Sequence, residues 1–224
     1  MEILFEDNHL IAVNKKISDL VLGDKTGDET LADRVKQYIK HKYDKPGEVF
    51  LGICHRLDRP VSGVVLFAKT SKSLSRLNRV FREKEIRKEY LAIVKERPPF
   101  EKGKLAHFLK KNEVQNKSYA FDKMVKDSKE ASLLFRLVSR TERYYLLEIE
   151  LHTGRHHQIR CQLAAVGCPI KGDLKYGYSR SNDNGGISLH ARKLTFVHPV
   201  RKEEVVITAP LPDDDIWPLF KDMV

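Results

Sequence analysis

Residues 54–63 read Cys-His-Arg-Leu-Asp-Arg-Pro-Val-Ser-Gly. One carboxylate, Asp58, stands among His55, Arg56 and Arg59, and two short apolar runs, residues 50–53 and 64–68, bracket the cluster. Runs of that length bounded by turn residues, here Pro60 and Gly63, predict buried strands. The acid therefore falls on a turn at the rim of a sheet. Its cationic neighbours favour the ionised form, which suits a nucleophile or a base. A structural ion pair capping the turn satisfies the same pattern. Spacing alone leaves both readings open.

Working outward, residues 3–5 and 10–13 predict a hairpin turning at Glu6-Asp7-Asn8. Residues 15–30 are polar and contain glycine, so they read as loop. Leu31, Val35, Tyr38 and Ile39 recur at helical spacing over 31–43, with Thr30 as the N-cap. A second helix follows the Asp58 turn and its strand, striped by Leu74, Leu77, Val80 and Phe81. Residues 90–94 read as a strand, and Arg97-Pro98-Pro99-Phe100 breaks the pattern, marking a lobe boundary near 97–103 or an inserted loop. Residues 101–130 are lysine-rich and carry no strong periodicity. Alternating Leu133, Phe135, Leu137 and Leu147, Ile149, Leu151 predict an antiparallel pair turning near 140–143. Residues 158–166 read as a helix closed by Gly167. Residues 172–186 read as a loop that moves on substrate binding, and strands at 194–197 and 205–208 complete the sheet. Strands and helices without regular βαβ alternation imply an α+β fold.

The chain has 224 residues, 41% of them hydrophobic and 32% charged, with a formal net charge of +10. That size buries one substantial core. The positive balance favours a polyanionic partner, because neutralised phosphates release condensed counterions. An acidic membrane surface fits less well, since no helix concentrates its basic residues on one amphipathic face. The three cysteines, Cys54, Cys161 and Cys168, are odd in number and show no paired spacing. They argue for a reducing compartment, with the cytoplasm as the default. The acidic opening and its short apolar run predict no signal peptide.

His55-Arg56-Leu57-Asp58, then Ser62-Gly63 and a strand ending Ala68-Lys69, resembles the signature of the RluA-type pseudouridine synthases. The usual form has Thr before Ser-Gly; Val61 removes that hydroxyl here. Three further matches follow in the family's order. They are Lys88-Glu89-Tyr90-Leu91-Ala92-Ile93-Val94, then Thr153-Gly154-Arg155-His156-His157-Gln158-Ile159-Arg160 with Gly167-Cys168-Pro169-Ile170-Lys171-Gly172-Asp173, and finally Leu189-His190-Ala191 with Phe196-Val197-His198-Pro199 and Ala209-Pro210-Leu211-Pro212. The resemblance covers nearly the whole chain.

It implies a single catalytic domain over 1–224, with no extra RNA-binding domain before it. It also implies a mixed, antiparallel-rich bifurcated sheet flanked by helices, and a central RNA-binding cleft between two lobes. The reaction detaches uracil from ribose, rotates it and rejoins it through carbon 5. It is redox-neutral, so neither cofactor nor metal is expected. The target nucleotide must leave its stack. By the resemblance, Asp58 is the catalytic aspartate, and Arg160 is set against it to hold its charge. Tyr90 packs on the flipped base, and Arg56 enters the RNA or clamps a phosphate. Arg155, Lys171 and the arginines of 76–87 are candidates for backbone contacts, while Asp173 is expected to shape its loop. The expected partner is ribosomal RNA (large subunit) or transfer RNA. Membrane association and an obligate protein partner are not expected, and a monomer is.

Two rivals are weighed. His152, His156, His157 and Cys161 have zinc-ligand chemistry, but Arg155 and Arg160 would repel a dication. A non-catalytic basic RNA-binding protein or RNA chaperone fits the charge equally well. It has no use, however, for a carboxylate that repels phosphate.

Overall fold

The computed structural model describes residues 1–23 and 27–223. Residues 24–26 of the predicted 15–30 loop lie outside them. The opening hairpin pairs β1 (Glu2–Glu6) with β2 (Leu10–Lys15), Ile3 facing Val13. Asp7 Oδ1 closes the turn by accepting from the backbone N–H groups of His9 and Leu10. Helix α1 (Leu31–Lys42) starts at Thr30, where a reciprocal capping box with Asp33 satisfies two backbone donors. After the two-residue strand β3 (Gly52–Ile53) come β4 (Ser62–Ala68) and α2 (Ser71–Arg82). The predicted 50–53 strand is shorter than its apolar run because Phe50 points to solvent, 47% exposed.

β5 (Ile86–Val94), β6 (Lys102–Asn112), β7 (Lys117–Phe121), β8 (Lys129–Arg140) and β9 (Tyr145–Leu151) follow in turn. Then come α3 (Gln158–Ala165), a 3-10 turn at Leu174–Tyr176, β10 (Leu189–Val197), β11 (Glu204–Thr208) and a closing 3-10 helix, Trp217–Met223. The fold is α+β, and β1–β2, β2–β4, β10–β11, β5–β9, β9–β8, β8–β6 and β6–β7 all pair antiparallel.

The chain divides into two compact units, Met1–Ile86 with Ala191–Pro210 and Arg87–His190 with Leu211–Val224. The first crossing falls at the start of β5. The Pro-Pro break lies within the second unit, where it only turns the chain from β5 into β6.

In the first unit the strands run in the order β1-β2-β4-β10-β11. β4 is buried at all seven positions, which is why its sequence reads as an unbroken apolar run. Val64, Leu66 and Ala68 join Leu10, Ala12 and residues of β10 and β11 in one core, against which α2 lays Leu77 and Val80.

In the second unit the order is β5-β9-β8-β6-β7. Leu133 faces Leu151, Phe135 faces Ile149 and Leu137 faces Leu147, as the alternating leucines predicted. The featureless 101–130 stretch forms the β6–β7 hairpin and its return into β8. Helix α3 packs against β6 and β7 through Cys161, with Leu109, Ala131 and Tyr176. Gln162, wholly buried, pins it there by donating to the carbonyls of Leu105 and Ala131, both at 3.2 Å. Trp217 and Phe220 of the closing 3-10 helix seal a separate cluster with Leu91, Ile93 and Leu146. All three cysteines are free thiols.

Candidate active site

The turn carrying Asp58 and Arg56 belongs to the first unit, and side chains tie both of its ends. At the entry, His55 Nε2 accepts from the Leu66 N–H at 2.9 Å while its ring stacks on Phe81, centroids 5.0 Å apart. Beside it, Cys54 Sγ donates to the Leu66 carbonyl at 3.3 Å. Burial pushes that thiol up to about 12, so it stays protonated and able to donate.

At the exit, Lys15 reaches the turn from β2. Its ammonium donates to the carbonyls of Lys16, Arg59 and Val61 at 3.1, 3.0 and 2.6 Å, and the side chain is wholly buried. Burial pushes Lys15 down to about 8, against the opposing pull of Asp19 and Asp58. The Ser18 N–H adds a bond to the Arg59 carbonyl at 3.1 Å, and the Val61 N–H closes the turn on the Asp58 carbonyl at 3.0 Å. Between these anchors Asp58 is half-buried and Arg56 is exposed.

Gly63, the next motif residue, has φ +115°, and a Cβ there would collide with the Ala191 carbonyl of β10. The Ser-Gly step of the motif is therefore a packing requirement as well as a turn.

Sequence reading placed Lys15 in the polar loop. The signal was present: on β2 it alternates with Ile11 and Val13, so it shares their buried face. A lysine in a core column needs carbonyl partners.

Arg160 and Tyr90 belong to the second unit. Residues 153–158 fold into a loop that Gln158 clamps from inside, its Oε1 accepting from Thr153 Oγ1 at 2.6 Å and the Arg155 N–H at 3.0 Å. His157 then takes a left-handed conformation, φ +52°, as the N-cap of α3. Its ring stacks on His156 at 3.8 Å and its Nδ1 lies 3.1 Å from the Tyr176 hydroxyl. Burial, reinforced by Arg160, drives this imidazole down to about 2, so it remains neutral.

Arg160 is buried in the first turn of α3 and holds Asp173 in a bidentate pair, Nε to Oδ2 at 2.7 Å and Nη2 to Oδ1 at 2.9 Å. Its guanidinium also lies 5.2 Å from the Tyr176 ring centroid. Asp173, read from sequence as a loop-shaping residue, is thus the buried counter-charge of the motif arginine.

Tyr90 lies on β5 opposite Ile149 and is half-buried. Through Ile149 and Phe135 it shares the sheet face that α3 covers.

The other candidates have partners within the chain. Lys171 pairs with Asp215 at 2.7 Å, Arg155 Nε donates to the Glu130 carbonyl at 2.9 Å, and Arg87 bridges Glu89 and Glu150. The residues with zinc-ligand chemistry have other partners: His152 contacts Glu150, His156 contacts Ser118, and Cys161 Sγ donates to the Ser118 carbonyl. Among the described residues no group of three or more His, Cys, Asp or Glu is placed to hold a metal.

The order of these motifs resembles that of an RNA-modifying isomerase, and comparison with known proteins agrees. The family model described as RNA pseudouridylate synthase matches residues 9–165. The tRNA pseudouridine synthase C of Vibrio parahaemolyticus is 32% identical, spanning 97% of this chain and 92% of its own. The ribosomal large subunit pseudouridine synthase C of Buchnera aphidicola is 33% identical, spanning 93% of this chain and 67% of its own. The solved structure of human RNA pseudouridylate synthase domain containing 4 has the same fold, with a TM-score of 0.81 at 24% identity over 98% of this chain and 92% of that one. The chain belongs to the RNA pseudouridylate synthase family and is an RNA pseudouridine synthase. Its substrate is RNA, and among the described residues no helix is long and apolar enough to cross a membrane.

Proposed function

We propose that this enzyme isomerises uridines in large-subunit ribosomal RNA or in transfer RNA, acting as a monomer in the cytoplasm with Asp58 as its catalytic group. The observation that carries the assignment is the build of the Asp58 turn. His55 and Cys54 fix its entry, and the buried Lys15 fixes its exit through the carbonyls of Arg59 and Val61. A turn so constrained holds in place the backbone that carries the carboxylate, as catalysis by a positioned group requires.

In the reaction the bond from ribose C1′ to uracil N1 breaks and a bond from C1′ to C5 forms. The C5 hydrogen leaves as a proton and N1 gains one, so atoms and charge balance. Asp58 supplies the carboxylate that attacks the sugar, adds to the base or deprotonates the sugar. Tyr90 offers a ring to the extruded uracil, and such stacking is worth about 1–3 kcal/mol per base. The family pattern makes Arg160 the cation of the reaction; within its own unit the residue is held by Asp173. Arg56, exposed on the same turn as Asp58, enters the RNA or clamps a phosphate.

The test is tritium release from C5-tritiated transfer RNA and large-subunit ribosomal RNA transcripts, comparing wild type with Asp58→Ala. Release by the wild type alone is expected, and the RNA that supports it defines the substrate class. Equal release by Asp58→Ala would overturn the role of the aspartate. Absence of release from both RNAs would overturn the substrate assignment.

A further inference from the structure

We infer that the face of the β6–β7 hairpin turned away from α3 is an accessory RNA-binding surface that stacks unpaired bases on Tyr119 and Phe121. The inference deepens the proposed function by adding a recognition surface to it, and it rests on RNA being the substrate.

Strand parity defines the face. Ser118 and Ala120 point toward α3, where Ser118 Oγ meets His156 at the start of the helix and Ala120 joins the core. Tyr119 and Phe121 therefore point the other way, and they are 40% and 37% exposed. Lys110 stands directly across from Tyr119, and Phe108 across from Phe121. Together with Lys111 and Asn112, the residues Lys110, Tyr119 and Phe121 line a shallow groove. The Tyr119 hydroxyl donates to Gln115 Oε1 at 2.5 Å, which fixes the ring, and Lys117 Nζ lies 5.5 Å from its centroid.

Charge completes the match. Residues 102–129 contain eight lysines against three acids, Glu113, Asp122 and Asp127. Lys111 is paired with Glu113 and Lys110 lies near Asp127. Lys123 and Lys126 make no ion pair among the described residues. Lysines alone have a simpler role on β7, which ends the strand order of its unit, because charge discourages pairing with another sheet edge. That role does not account for two exposed aromatic rings two residues apart on one face, beside the lysines. Rings for base faces together with cations for phosphates are what a single-stranded nucleic acid requires. A duplex hides its base faces and would leave the rings unused.

The test measures binding of a fluorescein-labelled, unstructured RNA oligonucleotide by anisotropy, alongside steady-state turnover on full-length RNA. Tyr119→Ala/Phe121→Ala should weaken oligonucleotide binding about tenfold or more, the loss expected from removing stacking platforms. It should raise KM and leave kcat unchanged. Tyr119→Phe/Phe121→Tyr should retain wild-type affinity, which separates stacking from misfolding. Lys123→Gln/Lys126→Gln should flatten the dependence of affinity on salt. Wild-type affinity in the double alanine variant would overturn the inference. So would altered self-association with unchanged RNA binding, which would make the face a protein contact. Because oligonucleotide binding is read without turnover, a wild type inactive on both RNAs would count against the substrate assignment alone.

Discussion

Arg160 and Asp173 face each other through two parallel hydrogen bonds, at 2.7 and 2.9 Å, with side chains only 6% and 1% exposed. A buried pair of this kind is weak grounds for claiming stability, but breaking it is costly because the remaining charge is stranded. Asp173→Asn and Arg160→Met should each cost about 3–5 kcal/mol in urea unfolding, whereas the double variant should lose less than the sum. Additive losses would show that the two side chains act independently.

Lys15 anchors the turn at the price of a desolvated ammonium. Lys15→Met removes the hydrogen bonds and the desolvation together, so the two effects on stability oppose each other. The turn nevertheless loses its exit anchor. Turnover on the RNA that supports tritium release should fall at least tenfold, while Tm moves by only a few degrees, roughly what a 1 kcal/mol change produces. Unchanged turnover would show that the turn holds its shape without the lysine.

Gly63 combines a positive φ with the close approach of Ala191. Gly63→Ala meets backbone strain of about 1–3 kcal/mol and a steric cost of similar size. Its denaturation midpoint should fall by the equivalent of roughly 3 kcal/mol or more, and a shift below about 1 kcal/mol would contradict the packing described.

Glu6 supplies the pH dependence. Burial pushes its carboxyl up, but hydrogen bonds from Lys42, Lys69, Tyr43 and Tyr38 outweigh that and bring it down to about 2 from 4.5. A depressed carboxyl contributes stability that is complete above the unfolded value and is lost as pH falls toward the folded one. Unfolding measured from pH 5 to pH 2 should show a steeper loss for wild type than for Glu6→Gln. Parallel curves would remove Glu6 from the acid response.

Tyr90→Ala should reduce turnover by about tenfold or more, the equivalent of one lost stacking contact, and Tyr90→Phe should be milder. Equal damage from the two would give the hydroxyl the main role instead of the ring.

Much of the fold was legible because period and punctuation agree locally. Leu133, Phe135 and Leu137 alternate against Leu147, Ile149 and Leu151, and the observed register pairs them as the alternation requires. Thr30 announces α1, and Gly167 closes α3 with φ +78°. The β6–β7 hairpin was not legible. Its exposed face breaks the usual polar-out alternation with Tyr119 and Phe121, and lysines occupy many of the remaining positions. The positions of Asp58, Arg56, Tyr90 and Arg160 came from motif order. Their supports did not, because Lys15 reaches the Arg59 and Val61 carbonyls across 44 and 46 residues of chain and Asp173 lies 13 residues from Arg160, and periodicity carries no information about such pairings.

Trp217 is the sole tryptophan of the chain. It is 1% exposed, packed with Phe220, Leu91 and Ile93 and edge-on to His190 at 5.8 Å. Its emission is therefore a built-in optical gauge of the second unit, blue-shifted while that cluster is dry and red-shifted once water enters. Far-UV circular dichroism averages over both units. Recorded on one sample, the two signals separate damage near Gly63 or Lys15 from damage near Arg160 without attaching a label.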